Sequence, residues 1–120
     1  MRTSILLLSA SAALLAACAS SPAPREQMAV ARSAVERASA APSVTSNAPV
    51  ELQSARDKLA RAEKAMLARD YDQARRMAEQ AGVDAQLAEA KAAAVRGENA
   101  VREVQNSIRA LDDELQRHGK

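Results

Sequence analysis

Four features of this 120-residue chain carry side chains that could do chemistry: the single cysteine Cys18, the single histidine His118, the carboxylate run Asp112-Asp113-Glu114 and the amine of Lys120. Cys18 is the strongest candidate, because a thiolate attacks an electrophilic carbon far better than a hydroxyl does and the thioether it forms is stable. His118 lies two residues from the end beside Gly119, where chains are mobile, and reads as solvated. Asp112, Asp113 and Glu114 are neighbours in sequence, so on a helix they point in different directions and do not converge on a metal ion. No phosphate-cradling glycine loop and no histidine-based triad accompanies them. Only Cys18 has surroundings that suit it to a reaction.

Those surroundings are an apolar stretch from Ile5 to Leu15, preceded by the basic Arg2 and followed by the small residues Ala16 and Ala17. Together they form the three regions of a secretory signal. The run Leu15-Ala16-Ala17-Cys18 resembles a bacterial lipobox. The resemblance implies that a diacylglyceryl group is added to the Cys18 thiol, that the chain is cut between Ala17 and Cys18 so that residues 1–17 are lost, and that the freed amine is acylated. An uncleaved anchor fits less well, since the stretch falls well short of the roughly 20 residues that span a bilayer. Each buried acyl methylene contributes about 0.8 kcal/mol, so several chains on one cysteine hold a protein at a membrane without help from its body. Ala19 follows the cysteine where lipoproteins kept at the inner membrane carry Asp. Resemblance therefore points to the periplasmic face of the outer membrane. With the thiol consumed by lipid, no catalytic residue, no metal site and no cofactor beyond that covalent lipid is expected.

The remaining segment, Cys18 to Lys120, has about 100 residues and suits one small domain. It has no Trp or Phe and one Tyr, so the large side chains that usually fill a compact core are nearly missing. Abundant alanine favours long, closely packed helices over a globule around a pocket, which also makes a carrier or chaperone for an apolar client a poor fit. Lys and Arg number 17 against 15 Asp and Glu, interspersed, and loss of Arg2 brings the balance closer to neutral. That pattern leaves nucleic-acid binding without an electrostatic footprint.

The elements follow from spacing. Residues 18–24 form a lipidated, Pro-containing tether ahead of a helical domain at 25–120. Met28, Ala31, Val35 and Ala38 mark one face of a helix over about 25–40. Pro42 and the polar residues Ser43 to Asn47 are expected to break it. Pro49 suits a first helical turn and Glu51 the positive end of the dipole, so a second helix is expected over 49–69, with Leu52, Ala55, Leu59, Ala62 and Met66 on one stripe. Asp70 and Gln73 stand as in a capping box, after a turn at Arg69-Asp70-Tyr71, and open a third helix over 71–117. Its alanines, Ala74, Ala78, Ala81, Ala85 and Ala88, allow a close antiparallel hairpin with the second. The expected class is therefore all-α: signal peptide, flexible tether, a short helix and a long antiparallel hairpin.

A second stripe on the third helix, Val83, Leu87, Ala90, Ala94, Gly97, Val101, Val104, Ile108, Leu111 and Leu115, keeps heptad spacing and has coiled-coil character. At 1.5 Å per residue the helix is roughly 70 Å long and outruns its partner. Val101, Val104, Ile108, Leu111 and Leu115 thus form a candidate docking face. Either the first helix and self-association cover it, or another envelope protein pairs with it. Gly82 and Gly97 each cost about 1 kcal/mol inside a helix and are expected at bends or close contacts.

Ala48-Pro49-Val50-Glu51-Leu52, the run from Ala55 to Leu59, Asp70-Tyr71-Asp72-Gln73-Ala74-Arg75, and Ala78-Glu79-Gln80-Ala81 through Asp84-Ala85 to Ala92 resemble the alanine-rich bacterial lipoprotein family called domain of unknown function 4398, over roughly residues 25–95. The resemblance implies a helical hairpin behind a lipobox and no assigned activity. Some members continue into an OmpA-like domain that binds peptidoglycan, and this chain is read as lacking one. The Asp-Tyr-x-x-Ala turn also resembles part of a tetratricopeptide pair, but a solenoid needs about three such units and one is visible. Lys120 after a long heptad segment is similar to the end of the murein lipoprotein, whose terminal lysine is joined to peptidoglycan, although Tyr-Arg does not precede it here. The expected function is a non-catalytic interaction or structural module of the envelope, anchored in the outer membrane by Cys18 and meeting a protein partner or itself through helices. The alternative is a tether to peptidoglycan through Lys120.

Overall fold

The computed structural model describes residues 22–119. The signal segment, the cut between Ala17 and Cys18, lipidation of Cys18 and the candidate link at Lys120 lie outside them. Among the described residues there are four helices and no strand: α1 (Arg25–Ala40), α2 (Pro42–Asn47), α3 (Pro49–Leu67) and α4 (Tyr71–His118). The all-α hairpin expected from the spacing is the observed architecture.

The hairpin is α3 against α4. Its turn carries out two jobs in three residues. Arg69 takes φ 58°, the left-handed conformation that ends helices, and Asp70 N–H reaches back to the Ala65 carbonyl at 2.9 Å. Helix α3 therefore stops at Leu67, two residues short of the expected end. Asp70 then caps α4 by accepting from Gln73 N at 3.1 Å, as the capping-box spacing predicts. Tyr71 belongs to the first turn of α4 and not to the loop.

Across this hairpin α1 lies antiparallel to α3 and parallel to α4. Arg32 Nε to Glu63 Oε1 at 2.9 Å and Arg56 Nε to Ser39 Oγ at 3.1 Å set the first relation, and Arg37 Nε to Glu89 Oε1 at 2.9 Å sets the second. At the start of α1, Arg75 donates to the Pro22 carbonyl at 3.5 Å. The break expected at Pro42 to Asn47 is instead a helical turn. Proline at its first position has φ preset for a helix, Asn47 Nδ2 donates to the Ser43 carbonyl at 2.8 Å, and Val44 is buried. This short α2 closes the end of the bundle between α1 and α3.

The core is a seam of small residues. Ala38, Ala55, Ala62, Ala74, Ala78, Ala81, Ala85, Ala88 and Ala92 are all fully buried, with Met28, Val35, Val44 and Leu52 filling the wider gaps. Leu59 and Met66, expected on the α3 stripe, pack at its edge and are only partly covered. Alanine methyls let helix axes come near the lower end of the usual 8–10 Å, so cohesion comes from close backbone packing and not from bulky side chains.

Candidate functional site

Helix α4 has 48 residues and carries two apolar faces on opposite sides. Successive residues turn by about 100°, which places Ala78, Ala81, Ala85, Ala88 and Ala92 along one line and Val83, Leu87, Ala90 and Ala94 diametrically across from it. Burial follows: Ala85 is 0% exposed and Val83, two residues away, is 62% exposed. The two faces differ in bulk as well as in position. One is a methyl surface packed into the bundle, and the other is a heptad-spaced face whose larger members, Val83 and Leu87, stay more than half exposed.

Beyond Ala92 they also differ in fate. The line of the alanine seam continues as Arg96, Asn99, Glu103 and Asn106, all exposed. The heptad face continues as Val101, Val104, Ile108, Leu111 and Leu115, between 57% and 73% exposed. The bundle ends where its own stripe turns polar, and the last 26 residues of α4, from Ala93 to His118, extend about 40 Å past it. Helix α1 does not cover this stretch. It runs beside the hairpin over the first half of α4 and ends near Glu89, so the expectation that it would shield Val101 to Leu115 is not met.

The exposed apolar face is also longer than the five residues Val101, Val104, Ile108, Leu111 and Leu115. Val83 and Leu87 belong to it, and Val30 of α1, 60% exposed, stands beside Val83 at a groove of about 350 Å³ between α1 and α4. The heptad spacing contained this signal, since it begins at Val83. Gly82 lies in the same groove. A Cβ there or at Gly97 would meet nothing within 4 Å, so neither glycine makes a close contact, and α4 runs unbroken through both.

Ionic contacts hold the opposite side of the hairpin. Asp84 Oδ2 accepts from Lys58 Nζ and from Ser54 Oγ, both at 2.6 Å. Burial pushes the Asp84 carboxyl up, but the two hydrogen bonds and the charge of Lys58 outweigh it and hold the group below its ordinary value. Lys91 Nζ donates to Glu51 Oε1 at 2.6 Å, and this bond, with one from the Glu51 backbone, likewise holds Glu51 low. Both pairs join α3 to α4. Lys58 and Ser54 also line an open groove of about 520 Å³ along α3, and Glu51 Oε2 is buried without a hydrogen-bond partner.

Near the tip, Asp112 accepts from Gln116 Nε2 at 3.1 Å, Glu114 accepts from Arg117 Nη1 at 3.1 Å, and His118 is exposed. The three carboxylates are not drawn together. Among the described residues no group of three or more His, Cys, Asp or Glu gathers as a metal site would require, and no helix is long and apolar enough to cross a membrane.

Comparison with known proteins agrees with this architecture. The profile of the family described as Domain of unknown function (DUF4398) matches residues 26–104. The crystal structure of a DUF4398 family protein from Pseudomonas aeruginosa PAO1 is similar with a TM-score of 0.71 and 40% identity, over 80% of this chain and 98% of that one. No curated protein matches the sequence.

Proposed function

The chain belongs to the DUF4398 family, and from that premise we propose that it is a non-catalytic helical interaction module of the bacterial envelope, held at the periplasmic face of the outer membrane by lipid on Cys18. The observation that carries the reading is the bare heptad face of α4. An exposed run of five large aliphatic side chains costs solubility, and a chain with no use for it would carry polar residues there, as it does on the line from Arg96 to Asn106. Helix pairing through spaced apolar anchors is the recognition mode that such a face serves. The anchor rests on Cys18 and on the signal-like segment before it.

The test is in-cell crosslinking of the full chain beside a double variant, Ile108→Glu with Leu111→Glu. Both residues lie beyond the bundle, so the melting temperature of the monomer is expected to stay within about 4 °C of the parent, in line with surface substitutions. Crosslinked species are expected to fall at least tenfold. An unchanged set of adducts would falsify the docking role of this face.

A further inference from the structure

Resting on that reading, we infer that the occupant of the α4 face is a second copy of the same chain, packed antiparallel about a two-fold axis that passes between Gly97 and Val101. The argument is one of volume. In the heptad, Leu87, Ala94, Val101, Ile108 and Leu115 take the a positions, and Val83, Ala90, Gly97, Val104 and Leu111 take d. The five outer residues beyond the bundle are large. Of the five nearer ones, three in a row are Ala90, Ala94 and Gly97.

Antiparallel pairing sets a against d, and in this register all ten positions are used. Gly97 meets Val101 of the other copy, Ala94 meets Val104 and Ala90 meets Ile108, so each small residue receives a large one. Leu87 then meets Leu111, and Val83 meets Leu115 at the groove that Val30 widens. The overhang of each copy lies along the bundle half of the other, over about 50 Å. A parallel, in-register pair stacks Ala90, Ala94 and Gly97 on themselves and then Val101 to Leu115 on themselves. Its helices must be close in one half and apart in the other, which leaves voids that close-packed interfaces avoid. The antiparallel arrangement also uses one patch twice and therefore closes as a dimer instead of growing as a filament.

Charge is compatible with this register at all but two places. At the flanking positions Lys91 faces Gln105, Gln86 faces Glu114 and Ala100 faces itself. Asp84 faces Asp112, but Asp84 is already paired with Lys58. Glu98 faces its own copy beside the axis and is the one uncompensated like-charge contact.

Disulfide trapping in the full chain decides the matter. Leu87→Cys and Leu111→Cys, carrying different tags, are expressed together and separately, with the unsubstituted chain as the baseline for any bond made by Cys18. The mixed 87–111 dimer is expected in at least fivefold excess over self-dimers of either variant. Self-dimers of Leu111→Cys that equal or exceed the mixed pair would indicate parallel helices and overturn the inference, as would no disulfide above baseline. A second variant needs no cysteine: Glu98→Gln removes the contact at the axis and raises the dimer yield from amine-independent crosslinking about twofold, whereas no change counts against this register. If the mixed disulfide is absent while adducts to other proteins vanish in the Ile108→Glu, Leu111→Glu variant, the second copy is the wrong occupant and the docking reading stands. Absence of both sinks both.

Discussion

Asp84 and Lys58 meet at 2.6 Å across the hairpin, and Ser54 reaches the same carboxylate oxygen at the same distance. This is the one place in a seam of methyl groups where α3 and α4 are joined by two polar contacts on a single atom. Asp84→Asn removes the charge and weakens both bonds, at a cost of about 1 kcal/mol at neutral pH, measured by denaturant unfolding. Because folding lowers the Asp84 carboxyl, the unfolded chain takes up its proton first as pH falls. The contribution is therefore complete above the ordinary carboxylate range and disappears as pH falls through and below it. The variant should show a shallower acid limb than the parent, and identical limbs would remove Asp84 from the account.

Bulk is tolerated on one side of α4 and not on the other. Ala85→Leu forces three extra carbons into the seam and should destabilise the fold by about 1–3 kcal/mol. Val83→Ala, two residues away, should change stability by less than about 0.5 kcal/mol in the isolated chain. Thermal melts of the two variants at low concentration compare the faces directly. Equal losses would mean that Val83 is covered in the monomer.

At Gly82 the helix carries a residue with no packing reason to be glycine. Gly82→Ala places a methyl group where nothing stands within 4 Å and removes backbone freedom from the unfolded chain. A gain of about 1 kcal/mol is expected, or roughly 4–8 °C in Tm for a domain of this size. A loss would show that the groove beside Val30 must stay open.

Arg69 holds a left-handed φ that costs a side chain about 1 kcal/mol relative to glycine. Arg69→Gly should therefore raise the free energy of unfolding by up to that amount, with no change in the hairpin. A fall in stability would mean that the Arg69 side chain makes a contact of greater value than the strain it bears.

Anchoring and tethering separate in one fractionation. Fatty-acid labelling should appear on the full chain and vanish in Cys18→Ala. Boiling cells in detergent should release the full chain completely from isolated sacculi. Retention that is lost on deleting Lys120 would instead establish a covalent link through its amine and displace the docking reading.

Much of the fold was legible in the chain because each long helix carries local and tertiary signals that agree. Asp70 caps α4 at the position its spacing to Gln73 indicates, Pro49 opens α3, and the alanines at three- and four-residue steps are the buried ones. Helix α2 was hidden because its residues are poor helix formers individually, and it exists through Pro42 at its start and Val44 beneath the bundle. The end of α3 was misplaced by two residues because no glycine marks the left-handed position, which Arg69 occupies. For the heptad stripe, spacing revealed the full run from Val83 to Leu115 but not how much of it is bare. Whether Val83 and Leu87 are covered depends on where α1 and α3 lie around α4, and that arrangement is a property of three helices together. The cost of glycine inside a helix likewise pointed to a bend or a close contact at Gly82, and the structure has neither.

The polar turn taken by the alanine line at Arg96 has an effect on how the molecule could vary in size. Cohesion is confined to one segment of α4 and reach to another, so the two can be adjusted separately. Each heptad inserted after Ala100 lengthens the rod by about 10 Å and leaves every buried residue where it is. The far half of α4 thus acts as a ruler whose length natural selection can reset without reopening the question of whether the chain folds.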